Sequence, residues 1–256
     1  MKEVGQMRCD LMLGDCLDLL GSIPDGSIDM VLCDLPYGMT RNAWDCEIDL
    51  DKLWRHYRRV VRPNGAVVLF ASGMFTSRLM ASNPSMWRYN LVWHKTTKTG
   101  FLNAKRMPLR AHEDICVFYR KLPTYNPQMG TGPRKVSTAR HKRASKKSTN
   151  YGDYGLSTYD STERYPTSVL EFASDKQRCA VHPTQKPVAL CEWLIRTYTD
   201  EGGVVLDNCM GSGSTGVAAI RCGRRFVGIE KNEGYYTAAL ERLQRERIDD
   251  HGDAIA

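Results

Sequence analysis

No apolar run in this chain of 256 residues approaches the roughly 18 that a membrane-spanning helix needs, so no membrane partner is expected. The first 20 residues carry acids and lack the apolar core of a signal peptide, which argues against secretion. The 9 cysteines are odd in number and include no Cys-x-x-Cys pair. Neither a disulfide frame nor a zinc site is therefore expected, and no metal is called for. Cys33, Cys116 and Cys191 lie inside the expected strands and helices and Cys222 at a helix end, as reduced, buried thiols of a cytoplasmic protein do. The chain has no internal repeat. One absence is local: residues 115–152 contain no Asp or Glu.

Hydrophobic residues make up 42% of the chain, and its length allows one large α/β domain plus an insertion. Strand-like runs fall at 28–33, 66–70, 90–93, 115–119, 204–206 and 226–229, and helix-like runs at 50–61, 76–81, 188–198, 215–221 and 233–247. This alternation predicts an α/β fold, a mostly parallel sheet with helices on both faces. Residues 121–180 break the alternation, leaving 1–120 and 181–256 as one domain around an insert. Pro187 reads as the N1 residue of a helix whose apolar positions include Leu190, Trp193, Leu194 and Ile195. Residues 101–110, with Lys105, Arg106 and Arg110, read as a mobile loop beside the site or as a plain connection.

Two segments carry chemistry, and both sit where a buried strand hands over to a loop. Asp34-Leu35-Pro36-Tyr37 follows the early apolar run, and Asp207 through Gly216 follows a late one. Ligands of open α/β sheets bind outside the carboxyl ends of the strands, so the two segments are expected to face one cleft. Gly211, Gly213 and Gly216 satisfy Gly-x-Gly-x-x-Gly, and Glu230 follows at the roughly 20-residue spacing of a nucleoside-binding βαβ unit. No Gly-Lys-Ser/Thr follows the glycines, which disfavours a phosphate-binding P-loop. Glycines admit a ligand close to the backbone, and a carboxylate at the next strand tip accepts from ribose hydroxyls. The early segment offers a carboxylate, a rigid turn and an aromatic ring within four residues. That arrangement suits methylation of an exocyclic base amine, whose lone pair is delocalised until an acceptor orients its hydrogens. A β-turn with an Asp cap is the plain alternative for the tetrapeptide alone.

With both segments present, the chain resembles the β class of S-adenosylmethionine-dependent DNA amino-methyltransferases, in which the catalytic motif precedes the cofactor motif. Asp34-Leu35-Pro36-Tyr37 matches that family's Asp-Pro-Pro-Tyr, with Leu35 in place of the first Pro. His182-Pro183-Thr184-Gln185-Lys186-Pro187 matches His-Pro-Thr-Gln-Lys-Pro, and Leu13-Gly14-Asp15-Cys16 matches the Gly-Asp-Cys segment. Asp207 through Thr215 matches Asp-x-Phe-x-Gly-Ser-Gly-Thr, with Cys209 in place of Phe. The resemblance implies a Rossmann-like methyltransferase fold with permuted motif order. It implies catalysis by Asp34, the Leu35 carbonyl, Pro36 and Tyr37, with Tyr37 stacking on the base. It also implies that Asp15, Cys16, Asp34, His182, Lys186, Pro187, Asp207, Gly211, Ser212, Gly213, Ser214, Thr215 and Glu230 hold the cofactor. Among these, Asp15 faces the adenine, Glu230 the ribose, and His182 with Lys186 the cofactor carboxylate or the pocket mouth. For Asp15, a helix-start carboxylate is an equal alternative.

The acid-free stretch holds nine basic residues: Arg120, Lys121, Arg134, Lys135, Arg140, Lys142, Arg143, Lys146 and Lys147. A solvated loop usually mixes signs. Beside a nucleoside-chemistry site the tract reads as a contact to the phosphates of double-stranded DNA, with Arg134 through Lys147 as the contact residues. Tyr125, Tyr151, Tyr154, Tyr159 and Tyr165 are expected mainly to pack the insert, which serves target recognition. The expectation is a site-specific, cytoplasmic DNA methyltransferase that acts on adenine N6 after base flipping. Asp at the first catalytic position favours adenine, whereas Ser there is the family's usual sign of cytosine N4. The alternatives are cytosine N4 methylation, an NAD-dependent oxidoreductase, which leaves residues 34–37 unexplained, and a non-catalytic DNA-binding module. Recognition sequence, oligomeric state (a homodimer is open to it) and any restriction endonuclease partner are not fixed by the sequence.

Overall fold

The structure, a computed structural model, describes residues 9–38, 47–137, 158–174 and 185–252. In chain order the elements are β1 (Cys9–Leu13), α1 (Cys16–Leu19), β2 (Ile28–Cys33), α2 (Leu50–Val60), β3 (Val61–Ala71), α3 (Met74–Ser82), β4 (Trp87–Thr99), β5 (Arg110–Phe118), β6 (Gly130–Ser137), β7 (Tyr159–Arg164), β8 (Val169–Phe172), α4 (Val188–Tyr198), β9 (Val204–Asp207), α5 (Ser214–Arg221), β10 (Arg225–Glu230) and α6 (Glu233–Gly252). Eight strands form one sheet in the order β1-β10-β9-β2-β3-β5-β4-β8. Only β5 runs antiparallel to its neighbours, so the sheet is mostly parallel as expected.

The central strands are apolar on both faces, and helices cover both. Alternation along β2 sends Met30 and Leu32 to one side and Val31 and Cys33 to the other. The first side packs on Leu190, Leu194 and Ile195 of α4, Val217 of α5 and Leu243 of α6. The second packs on Leu53, Trp54 and Tyr57 of α2 and Phe75 and Leu79 of α3. Helix α2 begins where the Asp49 side chain accepts from the Lys52 amide at 3.0 Å, a cap for an otherwise orphaned donor. Pro187 stands at the N-cap of α4, one position before the N1 place read from sequence, because Val188 is the first residue with helical backbone.

Residues Pro127–Thr167 form a separate compact unit with an antiparallel β6–β7 pair. This unit is narrower than the sequence-based insert at 121–180 on both sides: the chain up to Asn126 belongs to the larger unit, and β8 joins the main sheet, pairing Val92 with Val169 and Lys95 with Phe172. Tyr159 and Tyr165, expected to pack the insert, are exposed, and the exposed Tyr125 belongs to the larger unit near Tyr198. Tyr151 and Tyr154 lie outside the described residues.

Candidate active site

The register of the parallel sheet brings the two distant motifs together. Strands β2 and β9 are neighbours, with Met30 beside Val205 and Val31 beside Leu206, so Asp34 and Asp207 emerge at the same sheet end. Glu230 ends β10 and Gly14 follows β1 there as well, joined by a hydrogen bond from the Gly14 amide to the Glu230 carbonyl at 2.9 Å. These ends open on one cleft of about 980 Å³, lined by residues 14–17, 34–37 and 207–212, by Ser214, Thr215 and Glu230, and by Lys95, Thr97, Thr99, Arg110 and Glu113 of β4 and β5. The cleft is of the size that small-molecule and cofactor sites use.

The glycine turn is shaped for close approach. Gly211 and Gly213 have φ of 50° and 78°, the left-handed region where a side chain is strained. Glu230 anchors this turn: its carboxylate accepts from the Gly211 amide at 2.9 Å and the Asn232 amide at 2.8 Å. Asp15 serves as the helix-start carboxylate weighed in the sequence, accepting from the Leu17 amide at 3.0 Å, and it also pairs with Lys231 at 3.0 Å. The Lys231 hydrogen bond holds its carboxyl below the usual range. Asp207 is buried, and burial outweighs hydrogen bonds from Thr215, the Cys209 amide and Cys33 to raise its pKa to about 6. Cys209, in the place of the family's Phe, lines the cleft and receives an Asn208 amide contact at 3.5 Å.

The early motif is built around the Asp34 carboxylate. Tyr37 donates to Asp34 Oδ1 at 2.6 Å, and Lys186 Nζ lies 2.9 Å from Oδ2. Burial, then the charges of Asp34 and Glu113, push the Tyr37 phenol well above its ordinary range, so it remains a donor. One face of the Tyr37 ring packs on Phe75 at 4.8 Å. Leu35 is buried, so a leucine replaces the family's proline as a core residue.

Lys186, placed by resemblance near the cofactor carboxylate or the pocket mouth, lines the same cleft and sits between two acids, 2.9 Å from Asp34 and 2.9 Å from Glu113, with 10% of its side chain exposed. Lys95 pairs with Glu113 from the other side. Burial works against the Lys186 charge, but Asp34 and Glu113 overcome it and hold the ammonium above its usual range. Burial likewise favours neutral Glu113, and Lys186 with Lys95 overcomes it, so its carboxyl lies below the usual range. Sequence reasoning missed Glu113 and Lys95. A signal was available: residues 52–112 contain no acid, and Glu113 ends that run.

Of the other expected residues, His182 lies outside the described residues, as do Arg140, Lys142, Arg143, Lys146 and Lys147. Arg134 lies on β6, bound to Asp160 of β7 at 2.6 Å, and Lys135 follows it. The acid that meets Arg134 thus comes from across the strand pair, beyond the acid-free stretch.

Comparison with known proteins agrees with this geometry. The chain is 27% identical over 274 residues to the Type II methyltransferase M.HinfI of Haemophilus influenzae, covering 95% of this chain and 71% of that protein. Its fold resembles that of the M1.HpyAVI–SAM complex, with a TM-score of 0.63, 22% identity and coverage of 92% of this chain and 98% of that one. It also resembles the PvuII DNA methyltransferase (cytosine-N4-specific), with a TM-score of 0.65, 15% identity and coverage of 95% of both chains. Residues 28–241 match the N6/N4 methyltransferase profile described as DNA methylase, and the chain belongs to that family of DNA amino-methyltransferases.

Proposed function

We propose that this chain transfers a methyl group from S-adenosylmethionine to the N6 amine of adenine in double-stranded DNA. The observation that carries the reading is the Asp34 carboxylate, held by Tyr37 and Lys186 and opening on the same cleft as the glycine turn. The residues present suit the cofactor: Gly211 leaves open space where a side chain would stand, and the Asp15 and Glu230 carboxylates line the same cleft. Glu230 is assigned the ribose and Asp15 the adenine, with Cys16, Asp207, Ser212, Ser214 and Thr215 shaping the walls. His182 and Pro187 remain assigned to the cofactor on resemblance alone.

S-Adenosylmethionine held there would supply an electrophilic methyl, its sulfur keeping the electron pair of the broken C–S bond. The target base leaves the stack, because its amine is out of reach within the duplex. Asp34 and the Leu35 carbonyl accept from the two amine hydrogens and direct the lone pair at the methyl. The nitrogen gains positive charge as it attacks, so the carboxylate stabilises the transition state more than the ground state. The amine loses its proton after attack. Lys186 keeps Asp34 in place, and Glu113 balances the charge of Lys186. Asp rather than Ser at position 34 favours adenine over cytosine N4. Mass spectrometry of nucleosides from DNA incubated with the protein and S-adenosylmethionine tests this: N6-methyladenine is expected, and N4-methylcytosine in its place, or no methylated base, overturns it.

A further inference from the structure

The β4–β5 connection carries large apolar side chains into water. Gly100 turns the chain at a φ of 92°, and a 3-10 turn at Phe101–Asn103 follows. Phe101 is 81% exposed and Leu102 99% exposed. Neighbouring apolar residues cluster to escape water, and a side chain that finds no cover within its own fold is a candidate contact for a partner. The surroundings are cationic: Lys98, Lys105, Arg106 and Arg110 flank the tip, and the chain has no acid from Lys52 to His112. Lys105 and Arg106 make no ion pair among the described residues. The same two strands line the cleft right up to this connection, through Lys95, Thr97 and Thr99 of β4 and Arg110 and Glu113 of β5. From Thr97 to Phe101 an extended chain spans at most ~13 Å.

We propose that Phe101 and Leu102 form a wedge that enters the DNA base stack beside the target and occupies the space of the departing base. This rests on the reading of the site as a DNA amino-methyltransferase. Apolar wedges open base steps, and flanking cations hold the backbone on either side. An anionic membrane surface would attract the same chemistry. DNA is favoured because the hairpin that carries the tip also lines the cleft that must receive the flipped base.

The test compares Phe101→Ala/Leu102→Ala with the wild-type protein on two duplexes, one with the target base paired and one with it mispaired, in single-turnover methylation. A mispaired base costs less to unstack. The double variant is expected to lose roughly tenfold or more on the paired duplex and to recover most of that on the mispaired one. Lys105→Ala/Arg106→Ala should weaken both duplexes alike, by loss of phosphate contacts. Equal rates for wild type and double variant, or an equal loss on both duplexes, overturns the wedge while leaving the methyltransferase reading intact. Phe101- and Leu102-dependent binding to phosphatidylserine vesicles, with base opening unchanged, overturns it in favour of a membrane contact. A wild-type protein that methylates neither duplex removes the underlying reading as well.

Discussion

At the scale of single residues, the site is a chain of charges: Asp34, Lys186, Glu113 and Lys95. Removing one member of a buried pair leaves its partner desolvated and uncompensated, which costs about 3–5 kcal/mol. Lys186→Met should therefore destabilise the fold by that amount, and Glu113→Gln on the same background should return part of it. Denaturant unfolding of both single variants and the double variant measures the coupling, and strictly additive losses would show that the contact carries no energy. Asp207 gives a pH dependence. Its folded pKa of about 6 lies above the ordinary 3.8, so its contribution to stability is complete below about pH 4 and is lost as the pH rises through 6. Asp207→Asn, which cannot ionise, should gain on the wild type by on the order of 3 kcal/mol between pH 4 and pH 8. A constant difference across that range would mean that Asp207 titrates normally. The acid-free run that ends at Glu113 singled that residue out, but its partners were not legible in the chain. Lys186 and Glu113 lie far apart in sequence, and only the pairing of β4 with β5 and the path into α4 bring them together.

At the scale of elements, legibility followed burial. Strand β2 and helix α4 coincide with the sequence-based spans, because a fully buried strand is a continuous apolar run and a covered helix shows its period. Strands β1 and β8 were missed. They are short, only partly buried and completed by hydrogen bonds from a neighbour, and no periodicity announces that. The exposed, polar β6–β7 pair has the same excuse. The basic tract remains a prediction at this scale. If residues 134–147 contact phosphates, neutralising Lys142, Arg143, Lys146 and Lys147 together should weaken binding to cognate and scrambled duplexes alike. It should also flatten the salt dependence by about 0.9 log units per lost contact. A loss confined to the cognate duplex, about 1–3 kcal/mol per contact, would make the same residues base readers. Lysine lacks the planar fork that suits base reading, which favours the phosphate role. Binding titrations at several salt concentrations separate the two.

At the scale of the whole molecule, the motif order is permuted yet the cleft is continuous. The catalytic tetrapeptide comes first in the chain and the cofactor turn last, and the adjacency of β2 and β9 closes the gap. That convergence was legible from the sequence, because both motifs follow apolar runs that read as strands of one mostly parallel sheet, where ligands bind at the strand ends. The account's central claim is that the two ends of the chain divide one reaction between them, residues 34–37 orienting the amine and residues 207–230 holding the cofactor. Two variants measured in parallel test this: calorimetric binding of S-adenosylhomocysteine and the rate of methyl transfer for Asp34→Ala and Glu230→Ala. Asp34→Ala should keep most of its cofactor affinity and lose more than tenfold in rate, over about 1.4 kcal/mol of barrier. Glu230→Ala should lose about 1.5–3 kcal/mol of cofactor binding. An Asp34→Ala protein that retains more than about a tenth of the wild-type rate would contradict the account.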